Sequence, residues 1–139
     1  MKPIFYTTSL LSFVIGGALH YWLSGIDTIV PILGNFARLH PALNTGIAWG
    51  IKLPTLILPV LIVIALLLVM HLARHNQDRI ADYGYALVIS GGLLNLIDRL
   101  PDGAVSDYFA VGTFPIFNVP DSLISIGVAV LLWRSFKQG

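Results

Sequence analysis

Four long apolar segments dominate this sequence and point to a membrane protein. They cover residues 4–23, 53–72, 80–97 and 119–133, with approximate limits. A helix needs about 20 mostly apolar residues to cross the hydrocarbon core of a bilayer. The first two segments meet this length, and the other two meet it with flanking polar residues in the headgroup region. We therefore expect an all-α integral membrane protein with four transmembrane helices, forming one domain over residues 1–139.

The composition agrees with this class and excludes several others. The chain is 56% hydrophobic and only 11% charged, whereas soluble domains are about 25% charged. All seven acidic residues are aspartates and there is no cysteine, which excludes disulfides, thiol catalysis and cysteine-ligated zinc. The net charge of +1 comes without a basic run, so nothing indicates a nucleic-acid partner.

Lysine and arginine predict the orientation, because they are enriched in cytoplasmic loops. Placing both termini in the cytoplasm puts outer loops at about residues 24–52 and 98–118. The inner side then holds five basic residues and the outer side three: Lys2, Arg74, Arg79, Arg134 and Lys137 against Arg38, Lys52 and Arg99. The first apolar segment also has signal-peptide features. It is longer than the roughly 7–15 residues of a signal core, so we expect it to stay in place as a helix.

The outer loop between the first two helices is rich in turn-forming residues. Pro31, Gly34, Pro41 and Gly50 separate short apolar pieces, a spacing typical of short strands. We therefore expect a small β-like platform, half embedded at the membrane surface, between helices 1 and 2.

Two aspartates, Asp107 and Asp121, lie at the outer ends of apolar segments. An ionisable side chain near the hydrocarbon costs free energy, so its default interpretation is functional. An aspartic peptidase needs at least two carboxyl groups for catalysis, one ionised and one protonated. The sequence thus indicates a candidate enzyme.

Each aspartate also has a structural explanation. Asn118 and Asp121 fit a capping box at the start of the fourth helix, where the helix dipole stabilises negative charge. Asp107 has apolar neighbours, and burial would raise its pKa. As an alternative, Asp107 forms an Asx turn or pairs with Arg99.

Other candidate sites have weaker support. His71 and His75 are four residues apart, a spacing that suits zinc, but no glutamate lies between them and they fall on the predicted inner side. We interpret them as a polar helix end and expect no metal site. Ser122 and Ser125 follow Asp121 without a nearby base. A proton-coupled transporter is disfavoured because the four spans show no internal repeat.

Four sequence blocks, in order, resemble the motif blocks of the lipoprotein signal peptidase (signal peptidase II) family. They are Asn44-Thr-Gly46, the segment from Gly91 to Arg99, Ser106-Asp107-Tyr-Phe109, and the segment from Phe114 to Asp121. The resemblance implies a four-helix membrane aspartic peptidase whose active site lies near the outer face. It identifies Asp107 and Asp121 as the catalytic pair. The implied supporting positions are Asn44, Gly46, Gly91, Asn95, Asp98, Arg99 and Asn118.

The resemblance also implies a reaction and a setting. Members remove the signal peptide from diacylglyceryl-modified prolipoproteins by cutting before the lipidated cysteine, without a cofactor. The expected location is the bacterial cytoplasmic (inner) membrane, and the expected partners are the prolipoprotein and membrane lipid. A monomer is expected, open to inhibition by cyclic peptides such as globomycin. The alternative is a non-catalytic relative that binds lipidated peptides, or a small membrane assembly factor.

Chemistry suggests roles for the supporting residues. Asparagine amides orient carboxylates or bind substrate backbone. Arg99 anchors a carbonyl or fixes Asp98 as an ion pair, and the structural alternative is a simple charge pair ending the third helix.

This chain departs from the family pattern at several positions. The family usually carries an acidic residue and then a lysine near the end of helix 1, where this chain has Gly16-Gly-Ala-Leu-His20. His20 either replaces the missing base or is an interfacial histidine, and we favour the interfacial interpretation. Pro120 replaces a small residue, and Ile47 and Trp49 are bulkier than usual.

Overall fold

The computed structural model describes residues 2–46 and 56–138, and within them it contains four helices and three strands. The helices are α1 (Pro3–Ser24), α2 (Ile57–His75), α3 (Arg79–Arg99) and α4 (Val119–Gln138). The strands are β1 (Val30–Leu33), β2 (Ala37–Asn44) and β3 (Val105–Val111). All four helices are long and apolar enough to cross a membrane, so the predicted four-span architecture is confirmed.

The helix limits differ from the predicted ones mainly at two carboxyl ends. Helix α2 ends at His75, and α4 continues to Gln138, beyond the predicted end at Trp133. Basic residues near the ends explain both extensions, because positive charge is favourable in the last turn of a helix. The predicted start of the second span at residue 53 lies outside the described residues.

The sheet is larger than expected. Its order is β1-β2-β3 with antiparallel neighbours. The predicted platform supplies β1 and β2, but β3 comes from the segment between α3 and α4, which we predicted only as a loop. Asp107 lies on this third strand, opposite Ala42 of β2. The pairing joins segments far apart in sequence, so local patterns do not reveal it.

Helix α3 is the centre of the bundle and packs against each of the other three helices. Its contact with α4 is close because glycines replace side chains there. A Cβ at Gly91 would lie 2.5 Å from the Pro120 carbonyl oxygen and 2.8 Å from Ile124 Cγ1. Gly84 and Gly127 face each other in the same way further along the two helices. Small residues at this contact let two membrane helices approach closely.

Replacing Gly91 with alanine is expected to separate α3 from α4, because the atom it meets first is backbone. We expect a loss of about 1–3 kcal/mol in stability, typical of overpacking. Thermal unfolding in detergent micelles measures this effect. Gly25→Ala is the matched control, since its nearest contact would be an ordinary 3.5 Å to the Trp22 carbonyl oxygen. Equal unfolding temperatures for the two variants would contradict this packing explanation.

Candidate active site

The two aspartates predicted from the sequence line the same cavity, near the carboxyl end of α3 and the amino end of α4. Asp107 projects from β3 with 4% of its surface exposed, and Asp121 lies in the first turn of α4. The cavity has a volume of about 690 Å³. Apolar side chains of the segment before α4 and of α4 itself form much of its wall, including Phe114, Ile116, Phe117, Ile124 and Ile126.

Asn118 connects the two aspartates. Its side chain is fully buried, and Nδ2 donates to Asp107 Oδ1 at 3.0 Å. The Asp121 backbone N–H donates to Asn118 Oδ1 at 2.8 Å, and the Asn118 backbone N–H donates to Asp121 Oδ2 at 3.4 Å. These last two bonds are the predicted capping box. The cap and the contact with Asp107 therefore use opposite ends of one amide.

Two further asparagines each hold one of the aspartates. Asn44 Nδ2 donates to Asp107 Oδ2 at 3.0 Å, and Asn95 Nδ2 donates to Asp121 Oδ1 at 2.8 Å. Asn95 also accepts a hydrogen bond from Asn118 Nδ2 at 3.1 Å. Each carboxyl group is thus oriented by amide donors from at least two elements of the fold.

Arg99 anchors backbone carbonyls at the edge of the cavity. It is 8% exposed and donates to the carbonyl oxygens of Gly46 at 2.9 Å, Gly103 at 3.1 Å and Asn44 at 3.3 Å. The described contacts of Arg99 therefore support the carbonyl-anchor interpretation over an ion pair with Asp98. Through Asn44 and Gly46, this one guanidinium fixes the chain that follows β2.

The contacts of His20 inside the protein favour the alternative that it replaces the missing base over a lone interfacial histidine. The side chain is buried, with 7% exposure, between α1 and the sheet. Its Nε2 atom lies 3.1 Å from Asp98 Oδ2, and its Nδ1 atom lies 3.1 Å from Tyr108 Oη. Asp98 also accepts a hydrogen bond from the Ser106 N–H at 2.7 Å. An ionisable residue within an apolar helix was the available signal for this site.

Burial makes the carboxyl group of Asp107 a weaker acid than usual. Desolvation raises the pKa of Asp107 from 3.8 to about 6, the hydrogen bond from Asn44 acts in the opposite direction, and the charge of Asp121 raises it further. The direction agrees with the expectation from its apolar neighbours. Burial likewise raises the pKa of the adjacent Tyr108 to about 12, so its hydroxyl keeps its proton at neutral pH.

The remaining sequence candidates fall in different places. Gly91 lies at the α3–α4 contact and leaves room for Pro120, which is fully buried. Ser122 Oγ donates to the Asn118 carbonyl oxygen at 3.0 Å. The rings of His71 and His75 lie 4.7 Å apart at the end of α2, opposite to the aspartates. Ile47 and Trp49 lie outside the described residues.

Comparison with known proteins places this geometry in context. The family model described as signal peptidase (SPase) II matches residues 8–137. A lipoprotein signal peptidase of Nostoc punctiforme is 30% identical over 97% of this chain and 90% of that protein. A lipoprotein signal peptidase of Azoarcus is 41% identical over a shorter stretch, which covers 53% of this chain and 43% of that protein.

A solved structure shares the fold. It is described as a bacterial membrane enzyme determined by the in meso method at 2.3 Å resolution, and its TM-score is 0.84. The superposition covers 96% of this chain and 87% of that one at 23% identity. The family match over almost the whole length, together with four membrane spans, shows that this chain belongs to the signal peptidase II family of membrane proteases.

Proposed function

We propose that this chain is an aspartic endopeptidase that removes the signal peptide from diacylglyceryl-modified prolipoproteins by cutting before the lipidated cysteine. The observation that carries the proposal is the pair of aspartates on one cavity, joined through Asn118 and placed in unlike surroundings. Unlike surroundings let one carboxyl hold a proton while the other is ionised. The family match supports the proposed substrate class, and the two aspartates in the cavity support the proposed aspartic type of catalysis.

Asp107 is the protonated member in this proposal, and Asp121 is the ionised one. Burial favours the neutral form of Asp107, whereas Asp121 accepts hydrogen bonds from Asn95 and Asn118 at a helix amino terminus. Backbone and amide donors of this kind stabilise a carboxylate. The two groups therefore divide the roles of general acid and general base.

The reaction follows from this assignment. Asp121 removes a proton from a water molecule as the water oxygen attacks the scissile carbonyl carbon, and Asp107 gives its proton to the carbonyl oxygen. The resulting tetrahedral diol collapses when Asp107 takes back a hydroxyl proton and Asp121 passes its proton to the departing nitrogen. Breaking the C–N bond leaves a carboxyl terminus on the signal peptide and a free amine on the lipidated cysteine.

The cavity suits a lipidated peptide because its wall combines apolar and polar residues. Phe114, Ile124 and Ile126 are among the apolar residues of the wall, and they would receive acyl chains that remain continuous with membrane lipid. The aspartates and Asn44 line the same cavity and would contact the peptide. Because the acyl chains already lie in lipid, their contacts with the cavity would position the scissile bond and contribute packing rather than hydrophobic transfer from water.

The arrangement of the chain in the membrane belongs to the same proposal. We place both termini in the cytoplasm and the cavity near the outer face of the bacterial inner membrane, with residues 1–139 acting as one monomeric domain. Cyclic peptides such as globomycin would compete for the cavity. Five of the eight basic residues would then lie on the inner side, which supports this orientation.

Comparing two forms of one prolipoprotein tests the substrate. We expect kcat/KM for the diacylglyceryl-modified form to exceed that for the unmodified form by roughly 100-fold or more, because the bound acyl chains position the scissile bond at the aspartates. Purified enzyme in micelles and a gel mobility shift give both values. Equal rates for the two forms would exclude lipid recognition.

Asp107 also predicts a pH dependence. Its pKa rises on folding from 3.8 to about 6, so the folded state binds a proton more tightly than the unfolded state. The resulting stabilisation is fully present below about pH 4 and is lost as pH rises through about 6. We expect kcat/KM to fall above about pH 6, up to tenfold per pH unit, because Asp107 then loses its proton. In Asp107→Asn, the fall in unfolding temperature between about pH 4 and pH 6 that belongs to Asp107 should disappear. If the pH dependence of the unfolding temperature were the same as in the wild type, the raised pKa of Asp107 would be refuted.

A further inference from the structure

We propose that His20 is a positioning residue that keeps both aspartates in their reactive positions. It acts through the hydroxyl of Tyr108, and neither residue lines the cavity. The inference rests on the proposed aspartic mechanism and concerns residues which that mechanism does not use. His20 lies on α1, Tyr108 on β3 and Asp98 at the end of α3, so one imidazole joins three elements.

The first step is the contact between His20 and Tyr108. His20 Nδ1 lies 3.1 Å from Tyr108 Oη, and the ring centroids are 5.8 Å apart. Tyr108 is 1% exposed and follows Asp107 directly on β3. Any shift of the Tyr108 ring therefore moves the backbone that carries Asp107.

The second step links the same hydroxyl to the other aspartate. The Val119 N–H donates to Tyr108 Oη at 3.0 Å. Val119 is the first residue of α4, and Asp121 lies in the same turn. The hydroxyl of Tyr108 thus binds an orphan N–H at the start of the helix that bears Asp121, which a helix end requires when it is buried.

The third step fixes the direction of the hydrogen bonds. Asp98 Oδ2 lies 3.1 Å from His20 Nε2, with less than ideal hydrogen-bond alignment. A carboxylate there favours a proton on Nε2, which leaves Nδ1 free to accept the Tyr108 O–H. Tyr108 then accepts from Val119 and donates to His20, so each group has one consistent role.

The geometry separates this assembly from substrate binding. Among the described residues, the cavity wall includes Asp107 and Asp121 but neither His20 nor Tyr108. Loss of the assembly should therefore lower kcat and leave KM for the lipidated substrate nearly unchanged. Misplacement of reacting groups by about 1 Å lowers rates by up to about 100-fold.

Four single variants test the inference. His20→Gln places an amide near the Nε2 position and keeps the Asp98 contact, whereas His20→Asn places one near Nδ1 and keeps the Tyr108 contact. Tyr108→Phe removes the hydroxyl from both of its partners. Tyr21→Phe is the matched control, because Tyr21 is 83% exposed on the same helix as His20.

We expect kcat per folded enzyme to fall about 10- to 100-fold in His20→Gln and Tyr108→Phe. His20→Asn should recover most of the rate, and Tyr21→Phe should match the wild type. A role limited to stability would lower the unfolding temperature and leave kcat per folded enzyme unchanged. That result, or a loss confined to KM, would overturn the inference.

Amide hydrogen exchange gives a readout that needs no cleavage. We expect faster exchange at the start of α4 in His20→Gln and Tyr108→Phe, but not in His20→Asn or Tyr21→Phe. Wild-type exchange in all variants would refute the positioning role. If the wild type failed to cleave lipidated substrate, the proposed function would fail, and exchange would still decide the role of His20.

Discussion

Replacing Asp107 or Asp121 with asparagine is expected to reduce cleavage of lipidated prolipoprotein by at least about 10³-fold, within the range for loss of a general acid or base. Asparagine has nearly the shape of aspartate, but it neither accepts nor returns a proton in the reaction. Asparagine also keeps only one of the two acceptor oxygens. Each variant therefore loses one hydrogen bond, from Asn44 or Asn118 at position 107 and from Asn95 or Asn118 at position 121. Single-turnover cleavage under saturating enzyme measures the chemical step directly.

The two variants should differ in stability even though both lose activity. Asp107→Asn removes a buried group that is costly to ionise, so its unfolding temperature should fall less than that of the wild type as pH rises through about 6. Asp27→Asn is the matched control, because Asp27 is exposed in the outer region after α1. A wild-type cleavage rate in either active-site variant would refute the assignment of that aspartate.

Replacing Asn118 with leucine is expected to have the second largest effect. The change removes the amide donor to Asp107 and the cap acceptor for the Asp121 N–H in one step. Loss of the cap alone costs about 0.5–2 kcal/mol, and an unpaired buried acceptor adds about 1–3 kcal/mol. We expect a clear drop in unfolding temperature and cleavage slower by about 10²-fold or more.

Asn118→Ser separates the two roles of this side chain. Serine caps a helix about as well as asparagine but lacks the amide that reaches Asp107. Most of the stability should therefore return while cleavage stays slow. Asp78→Ala provides the opposite control, since it removes the cap of α3 far from the cavity and should lower stability without slowing the folded enzyme. Fast cleavage by Asn118→Ser would show that the amide of Asn118 is dispensable.

The sequence was sufficient to predict the four spans and the grouping of the polar residues. Apolar length determines where a helix crosses a bilayer, and the cap at Asn118 is a local pattern that can be read directly. The convergence of Asp107 with Asp121 came from the family resemblance, because the two lie on different elements. Their shared cavity agrees with that expectation.

Two features escaped sequence analysis because they depend on contacts between distant segments. Strand β3 forms by pairing with β2, whose residues precede it by about 60 positions, and its local sequence reads equally well as loop. His20 looked interfacial because it lies near the end of α1. Its burial depends on Asp98 and Tyr108, which no periodicity within α1 reveals.

The most direct test of the account is the mass of the products formed from a diacylglyceryl-modified prolipoprotein by the purified wild-type chain. The account predicts two products, a free signal peptide and a mature lipoprotein that begins with the lipidated cysteine. Asp107→Asn and Asp121→Asn should yield neither. Recovery of intact substrate in a stable complex with the wild type would instead identify a non-catalytic binding relative. Cleavage at any other bond would contradict the proposed specificity.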